Sequence, residues 1–418
     1  MLTRDPLTEP LHVAPADRSL TRDGAAGVRA ELGHIAARAG LRRVHLIAWR
    51  DLDDPEAGGS EVHAAAVARL WSEAGIDVMM RTSFAEGLPA HARRDGYEVV
   101  RRGGRYAVFP RTALAEIARR HGRRDGLVEI WNGMPFLSPV WSTGARVVVL
   151  HHVHAEMWAM ALPRPLAILG DTLERRVAPL LYRRSHMITL SPSSKAEMLE
   201  IGFRDERVEV VPPGVDPRFS PGGRRDPGPT VLAVGRLAPV KRFDRLIRCV
   251  VEARLRAPDL TLTIVGFGDL QAELEALVTR LDAGHAVSFT GPVSDEDLLD
   301  RYRRSWMVAS TSAREGWGMT LTEAAACGTP AVATRIAGHA DAVDDGTSGL
   351  LAEDDRQFTD HLVAIATDPT LRDRLGAGAL AHAARFTWEA TATRILAALA
   401  FEACRRRSGP VPSRRRRA

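Results

Sequence analysis

The sequence predicts an α/β protein built from two doubly wound, Rossmann-like domains that face each other across a cleft. Three observations lead to this prediction. The chain has 418 residues, enough for two or three domains. Short apolar segments alternate with amphipathic helical stretches, which is typical of parallel βαβ units. One segment rich in Pro and Gly, residues 212–230, interrupts the alternation and is expected to be a linker.

The alternation begins at Val44 and restarts after the linker. The strands predicted in the first half are VHLIAW, IDVMM, VEIW, RVVVL, HMITL and VEVV, at 44–49, 76–80, 128–131, 146–150, 186–190 and 208–211. The strands predicted in the second half are TVLAVG, LTLTIVG, VSFTG, WMVAST and PAVAT, at 230–235, 260–266, 287–291, 306–311 and 330–334. Helices are predicted between most strands, including 61–75, 356–367 and 387–404. Because ligands of such sheets bind at the carboxyl ends of the strands, the cleft is the expected site.

These patterns divide the chain into six segments. They are a flexible lead-in at 1–33, a first Rossmann-like domain at 34–211, the linker at 212–230, a second Rossmann-like domain at 231–386, a C-terminal helix at 387–404 and an Arg-rich disordered tail at 405–418.

Composition narrows the function classes. The net charge is +5, from 57 basic and 52 acidic residues, but the tail contributes seven Arg, so residues 1–404 carry 5 − 7 = −2. A nucleic-acid-binding body would need a basic face on the domains, so no specific nucleic-acid partner is expected. Three scattered Cys fit neither a disulfide framework nor a zinc site and favour a reducing cytoplasm. No signal peptide or membrane span is predicted, which leaves a cytoplasmic protein with at most peripheral contact between its Arg tail and an anionic membrane.

The segment from Ser312 to Glu323 is the strongest local signal. It lies between a predicted strand and a predicted helix, and its glycines let the backbone approach a ligand closely. The free N–H groups of residues 318–320 lie at the N-terminal, positive end of the predicted helix, which suits a phosphate. Glu315 and Glu323 bracket this turn, where they either accept sugar or ribose hydroxyls or serve as a capping carboxylate and a solvated helix residue.

A second signal follows strand 230–235. Gly235, Arg236 and Lys241 lie at its carboxyl end, where the two cations can neutralise a diphosphate. A solvated basic pair is the alternative. Lys241 is one of only two lysines, the other being Lys195, in a chain that otherwise uses Arg, and this favours a functional role.

Two glycine pairs are weaker signals. Gly266 and Gly268 follow the next strand, but Gln271 stands where a dinucleotide fingerprint needs its third glycine, so a tight turn is the favoured explanation. Gly58 and Gly59 open the helix after the first strand and are expected to form an anion-binding nest on the opposite wall of the cleft.

The first domain also offers His151, His154 and Glu156 at the end of strand 146–150. A His there can hydrogen-bond a sugar hydroxyl or a leaving oxygen. A metal site is disfavoured because acidic or Cys ligands are missing. Asp51, Asp53 and Asp54 are expected to form a solvated loop rather than a metal-binding pair.

Taken together, these residues resemble glycosyltransferase family 4. The resemblance covers about residues 42–400 and rests on LAVGRLAPVKRFDRLI, TIVGFGDL, FTGPVSDEDLLDRY and STSAREGWGMTLTEAAACGTPAVAT. It implies retaining enzymes of the two-Rossmann-domain architecture called GT-B, with an acceptor domain followed by a donor domain. It also implies that the C-terminal helix crosses back onto the first domain.

The resemblance assigns roles by position. Glu315 and Glu323 match the family's Glu-x7-Glu motif, Arg236 and Lys241 its diphosphate-binding pair, and His151 its strand-end His; His151, Arg236, Lys241 and Glu315 are the candidate catalytic residues. The candidate donor-binding residues are Gly58, Gly59, Gly235, Gly266, Gly268, Val293, Gly316, Trp317, Gly318, Met319, Thr320 and Glu323. The candidate acceptor-side residues are Asn132, His154 and Glu156.

The chain departs from the family pattern at three places. Pro213 stands in the linker where Asn is usual, and the segment AGHADAV at 337–343 replaces a more typical Gly-Gly start. Trp317 stands where Phe is usual and is expected to preserve an aromatic lid.

The implied reaction moves a sugar from a nucleoside diphosphate sugar, of UDP or GDP type, to a hydroxyl of a glycan, lipid-linked or small-molecule acceptor. No metal and no other cofactor is expected, because the two cations and the turn amides meet the leaving-group charge. Two alternatives remain at this point: a sugar-nucleotide epimerase of the same architecture and a non-catalytic donor-binding paralogue.

Overall fold

The computed structural model describes residues 22–407 and contains two parallel sheets. The first has eight strands in the order β3-β4-β2-β1-β5-β6-β7-β8, all parallel except β3, which runs antiparallel to β4. The strands are β1 (Arg43–Ile47), β2 (Asp77–Thr82), β3 (His91–Arg94), β4 (Tyr97–Arg101), β5 (Gly126–Trp131), β6 (Ala145–Leu150), β7 (His186–Thr189) and β8 (Val208–Val210).

The second sheet has six parallel strands in the order β11-β10-β9-β12-β13-β14. They are β9 (Thr230–Val234), β10 (Thr261–Val265), β11 (Val287–Gly291), β12 (Met307–Ser310), β13 (Ala331–Thr334) and β14 (Gly349–Ala352). Strand order reverses between β9 and β12, as it does between β1 and β5 in the first sheet. Each reversal is a topological switch point, where a ligand crevice is expected.

Helices cover both sheets. They are α1 (Arg22–Ala39), α2 (Gly59–Glu73), α3 (Val108–Ile117), α4 (Ser138–Trp141), α5 (Met157–Ala161), α6 (Arg164–Thr172), α7 (Ala178–Tyr182), α8 (Pro192–Glu200), α9 (Phe243–Ala253), α10 (Gln271–Arg280), α11 (Asp295–Arg304), α12 (Met319–Ala326), α13 (Ala337–Ala342), α14 (Asp355–Thr367), α15 (Pro369–Ala383) and α16 (Trp388–Arg407). A π-helical turn, Leu173–Val177, joins α6 to α7, and 3-10 turns lie at Asp205–Arg207 and Pro239–Lys241. No helix within residues 22–407 is long and apolar enough to cross a membrane.

The C-terminal helix ties the two domains together. It leaves the second domain and packs against α1, α2 and β6 of the first. The indole N–H of Trp71 donates to the carbonyl of Ala392 at 3.1 Å, and Leu399 lies so close to Gly126 that a Cβ there would be 2.7 Å from it. One hydrophobic cluster therefore runs from α1 and α2 through α16 into α12. The predicted fold class, including this crossing helix, is confirmed.

The expected flexible lead-in is wrong from Arg22 onward. Helix α1 covers this part of it, with Leu32 completely buried, because the helix packs on α16. The expected tail is wrong at its start for a similar reason: α16 continues to Arg407, and Arg405 pairs with Glu402 at 2.6 Å. The remaining lead-in, 1–21, and the remaining tail, 408–418, lie outside the described residues.

Candidate active site

The loops after β9 and β12 flank the switch point of the second sheet. The first carries Arg236 and Lys241, and the second carries Glu315. Arg242 has a left-handed backbone, with φ of 52°, so the chain turns sharply into α9 directly after Lys241. This turn brings the lysine back toward the end of β12.

Lys241 and Glu315 form an ion pair across the switch point. The Lys241 Nζ donates to Glu315 Oε1 at 2.5 Å, and the Ser312 hydroxyl donates to the same oxygen at 2.9 Å. Burial by itself would raise the pKa of Glu315, but the Lys241 and His339 charges and these hydrogen bonds outweigh it and lower the pKa. Glu315 is therefore ionised at neutral pH and compensates one of the two predicted cations.

The turn into α12 packs tightly against the first domain. A Cβ at Gly316 would lie 2.6 Å from the His151 carbonyl oxygen, so only glycine fits. Gly318 caps α12 with φ of 101°, which leaves the amides of Met319 and Thr320 at the helix start. The predicted phosphate-binding turn thus faces the cleft.

The expected aromatic lid at Trp317 is wrong. The indole is 3% exposed and packs edge-to-face on Phe386 with ring centroids 5.0 Å apart. It lies under the turn because Phe386 leads into α16, so Trp317 connects the turn to the crossing helix. Its Nε1 has no hydrogen-bond partner among residues 22–407.

Glu323 has a different environment from Glu315. Its Oε2 accepts a hydrogen bond from the Tyr302 hydroxyl at 2.9 Å. Burial raises the pKa of Glu323 to about 7. The Tyr302 hydrogen bond and the Arg218 charge act in the opposite direction but have a smaller effect. The carboxyl group therefore keeps its proton to a higher pH than an ordinary glutamate does.

The glycine loop of the first domain forms the facing wall. Gly58 caps α2, and its N–H donates to Glu61 Oε2 at 2.8 Å. A Cβ on Gly59 would lie 2.9 Å from the sulfur of Met319, so this loop touches the start of α12. Arg236 reaches across the cleft and donates to the Glu56 carbonyl at 3.2 Å.

Asn132 belongs to the same wall. Its side-chain amide donates to the Ser60 hydroxyl at 2.7 Å, and Ser60 in turn donates to Glu61. The predicted acceptor-side Asn132 therefore supports the loop that carries Gly58 and Gly59.

His151 is buried beside a second histidine. His151 Nε2 lies 3.2 Å from His63 Nδ1, and the His63 ring stacks on Trp388 of α16 at 5.6 Å. Burial lowers the pKa of His63 to about 4 and that of His151 well below its ordinary value. Both rings are therefore neutral at physiological pH, and His151 can donate or accept a hydrogen bond but carries no charge.

The other acceptor-side residues lie further along the same loop. The backbone N–H of His154 donates to the buried carboxyl group of Glu174 at 2.9 Å. Glu156 is 73% exposed, and one of its oxygens lies 3.5 Å from Arg314. Arg314, next to Glu315, also donates to the Val153 carbonyl and to Glu197, so it joins the donor turn to the first domain.

Three predicted donor-binding residues are used for packing. A Cβ on Gly266 would lie 2.0 Å from the Gly235 carbonyl, and one on Gly268 would lie 2.5 Å from the Leu237 carbonyl. These glycines let the loop after β10 touch the loop that carries Arg236. Val293 packs against the hydrophobic cluster that includes α12.

The acidic loop at 51–54 is solvated only in part, because Asp51 is buried while Asp53 and Asp54 keep exposed surface. Asp51 is buried and forms a bidentate pair with Arg101, with both N–O distances 2.7 Å. Asp53 pairs with Arg94 and, at 2.6 Å, with Arg101. The described residues contain no group of three or more His, Cys, Asp or Glu side chains that could hold a metal ion.

Sequence reasoning missed three contributors to the site. Arg314 is adjacent to the predicted Glu315, and this position in the sequence could have identified it as a site residue. His63 carries no sequence signal, because its partner is 88 residues away. Gly338 lies in the segment 337–343 that departs from the family's Gly-Gly start; a Cβ there would lie 2.3 Å from the Glu315 carbonyl, so the fold needs a glycine at this position.

This arrangement defines a class. Two facing Rossmann-like domains, with a cation–carboxylate pair and a helix start at the switch point, have the GT-B architecture found in glycosyltransferases. Two protein-family models match the sequence. The family described as Glycosyltransferase Family 4 matches residues 57–219, and the family described as Glycosyl transferases group 1 matches residues 217–382.

Curated relatives match most of the chain. The D-inositol 3-phosphate glycosyltransferase of Stackebrandtia nassauensis is 32% identical, covering 89% of this chain and 94% of its own. That of Kribbella flavida is 31% identical, covering 86% and 95%. The chain belongs to glycosyltransferase family 4, and the resemblance drawn from the sequence is confirmed.

Solved structures share the fold at low identity. Sucrose-phosphate synthase from Thermosynechococcus elongatus has a TM-score of 0.73 at 21% identity, covering 85% of this chain and 97% of its own. Anabaena Alr3699/HepE in complex with UDP-glucose has a TM-score of 0.66 at 20% identity, covering 85% and 98%.

Proposed function

We propose that the protein transfers a glycosyl group from a nucleoside diphosphate sugar to a hydroxyl acceptor with retention of configuration and without a bound metal ion. The observation that carries this proposal is the Lys241–Glu315 pair at the β9/β12 switch point, beside the glycine-led start of α12. This is a site for an anionic leaving group attached to a sugar.

In this proposal the polar residues of the site have different roles. Lys241 and Arg236 neutralise the departing diphosphate, together with the amides at the start of α12. Glu315, kept ionised by Lys241, accepts hydrogen bonds from sugar hydroxyls. His151, neutral and buried, offers a hydrogen bond to the reacting sugar without adding charge.

Same-face attack fits these residues better than double displacement. Glu315 Oε1 is already held by Lys241 and Ser312, which orients the carboxylate as an acceptor rather than a nucleophile. In the transfer step the bond from the anomeric carbon to the diphosphate oxygen breaks, and the bond to the acceptor oxygen forms. The acceptor proton passes to the leaving diphosphate oxygen.

The relatives suggest where to begin with substrates. The curated relatives carry the name D-inositol 3-phosphate glycosyltransferase, and one structural neighbour was solved with UDP-glucose. We therefore take UDP-sugars as the first donors and D-inositol 3-phosphate as the first acceptor, with glycan and lipid-linked hydroxyls as the next classes.

The test has two stages. Melting temperature is measured with UDP, GDP, ADP and their sugars, since a ligand that binds the native state raises apparent stability. The best donor is then incubated with acceptors after EDTA treatment, and the anomeric coupling constant of the product is read by NMR. A product with the donor's α configuration, formed in EDTA, supports the proposal. Strict dependence on Mg²⁺ or Mn²⁺, or an inverted product, contradicts it; turnover of donor without acceptor indicates an epimerase.

A further inference from the structure

A groove on the flank of the first domain carries an excess of positive charge. It has a volume of about 590 Å³ and lies between α3 and the outer strands β2, β4 and β3. Six of its eight lining residues are basic: Arg81, His91, Arg102, Arg111, Arg120 and His121. None of these six belongs to the candidate active site.

The two nearby carboxylates, Glu116 and Glu98, do not pair with the groove arginines. Glu116 is buried and held at 2.8 Å by both His45 and Arg124. Glu98 is shared between Arg43 and His91, each at 3.8 Å. Across residues 22–407, the four groove arginines form no ion pair. The groove therefore presents several cations without matching anions.

Arg81 makes this imbalance unusual. It is 3% exposed, and its hydrogen bonds are to the Thr112 hydroxyl at 3.4 Å and to the Arg102 carbonyl at 3.3 Å. Burying a guanidinium without a carboxylate is costly, so buried charges are normally paired. Burial and the Arg111 and Arg102 charges lower the pKa of Arg81 to about 10 against the opposing effect of the Glu116 charge, and Arg81 is still charged at neutral pH.

We propose that this groove binds a phosphate-bearing ligand outside the catalytic cleft. Phosphate oxygens satisfy several guanidinium forks at once, and the lining offers four of them around one buried cation. A free phosphorylated metabolite and a phospholipid headgroup share this chemistry, and the two are separated by experiment.

The test uses the full chain and inorganic pyrophosphate. Titration calorimetry is carried out in a Lys241→Ala background, so that the donor site does not dominate the signal. Arg111→Gln combined with Arg120→Gln removes two exposed groove cations without disturbing the core. The matched control is Arg119→Gln combined with Arg123→Gln, which removes two exposed arginines that do not line the groove.

We expect the groove variant to bind pyrophosphate at least about ten-fold more weakly and the control to change less than about two-fold, since two charge-assisted hydrogen bonds are lost only in the former. An equal loss in both variants, or no binding to the Lys241→Ala protein, overturns the proposal. The donor site is tested separately by the rise in melting temperature that UDP causes in the protein with Lys241 intact. A failure of the proposed function can therefore be distinguished from a failure of the groove proposal.

A vesicle arm identifies the source of the phosphate. Phosphatidylglycerol vesicles are sedimented with the same variants, with phosphatidylcholine vesicles as reference. A lipid headgroup is supported if the protein binds phosphatidylglycerol vesicles, the groove variant does not, and pyrophosphate competes with the vesicles. Pyrophosphate binding with no groove-dependent vesicle binding supports a soluble phosphorylated ligand.

Discussion

The two motif carboxylates have opposite electrostatic environments. Lys241 and His339 lower the pKa of Glu315 against the effect of its burial, whereas burial raises the pKa of Glu323 to about 7. A permanently ionised carboxylate is suited to hold developing positive charge and sugar hydroxyls at the reacting centre. One that can hold its proton is suited to exchange hydrogen bonds with a neutral diol such as ribose.

Lys241→Ala should reduce kcat/KM for the natural donor by about 3 kcal/mol of barrier, roughly 100-fold, because the cation that meets the leaving diphosphate is lost. Steady-state kinetics measure this. Lys241→Arg should also be impaired, because the wider guanidinium cannot occupy the place of Nζ beside Glu315.

A substitution of the chain's other lysine provides a matched control. Lys195, the chain's other lysine, pairs with the exposed Asp205 at 2.6 Å, away from the candidate site. Lys195→Ala should keep wild-type kcat/KM. Wild-type activity in Lys241→Ala would show that the diphosphate role is misassigned.

The raised pKa of Glu323 predicts a pH-dependent stability. A carboxyl group binds its proton more tightly in the folded state when its folded pKa, about 7, exceeds the unfolded value. Its contribution to stability is therefore present below the unfolded pKa and lost as pH rises through 7. Glu323→Gln should remove about 2 kcal/mol of this loss between pH 5 and 8, measured as the free energy of unfolding in urea.

Glu86→Gln, at an exposed loop position, provides the comparison. The difference in unfolding free energy between this variant and wild type should stay flat across the same pH range. If Glu323→Gln also gives a flat difference, Glu323 does not carry the proton inferred for it.

At the scale of elements, local patterns predicted the strands well. Runs such as RVVVL and TVLAV are apolar along their whole length because both faces of a parallel sheet are covered. The β3–β4 hairpin was missed, although Asp95 and Gly96 both have left-handed backbones, the form that a two-residue Asp-Gly turn takes. The signal was present, but the polar sequence HARR before it does not read as a strand.

Other elements could not be predicted because their partners are distant in sequence. Helix α1 is stabilised by α16, at the other end of the chain, and His63 contacts His151, which is 88 residues further along the chain. The grouping of the donor-domain motif residues could be predicted because each pair is close in sequence, five residues apart for Arg236 and Lys241 and eight for Glu315 and Glu323. Contacts between domains, such as that of Arg236 with Glu56, were not.

Gly316→Ala tests the fit between the donor turn and the first domain. Its Cβ would lie 2.6 Å from the His151 carbonyl, so the domains cannot approach as closely. We expect kcat/KM to fall at least about ten-fold, with the melting temperature changed by less than about 3 °C because the clash lies between domains. Gly284→Ala, where a Cβ has no neighbour within 4 Å, should change neither quantity. Equal activity of the two variants would show that closure does not need this contact.

At the scale of the whole molecule, the two chain segments that cross between domains run side by side. The linker and the start of α16 pair at Val215 and Thr387, and Gly214 approaches Trp388 so closely that no side chain fits. This double crossing forms a narrow hinge. The contacts made away from it, by Arg314 with Glu197 and by Ser193 with Asp341, hold the cleft closed.

Arg314→Ala should therefore shift the protein toward an open form. The Arg314 guanidinium lies 2.6 Å from Glu197 and 2.9 Å from the Val153 carbonyl, and its removal leaves a carboxyl group whose pKa burial already raises. We expect a larger radius of gyration by small-angle scattering in the presence of UDP, and a lower kcat, because the donor turn no longer meets the first domain. Arg256→Ala is the control, since it removes a 2.7 Å pair with Asp360 that lies within one domain. An unchanged radius of gyration in Arg314→Ala would place the closing force in the hinge itself, with α16 rather than the facing loops setting the distance between donor and acceptor.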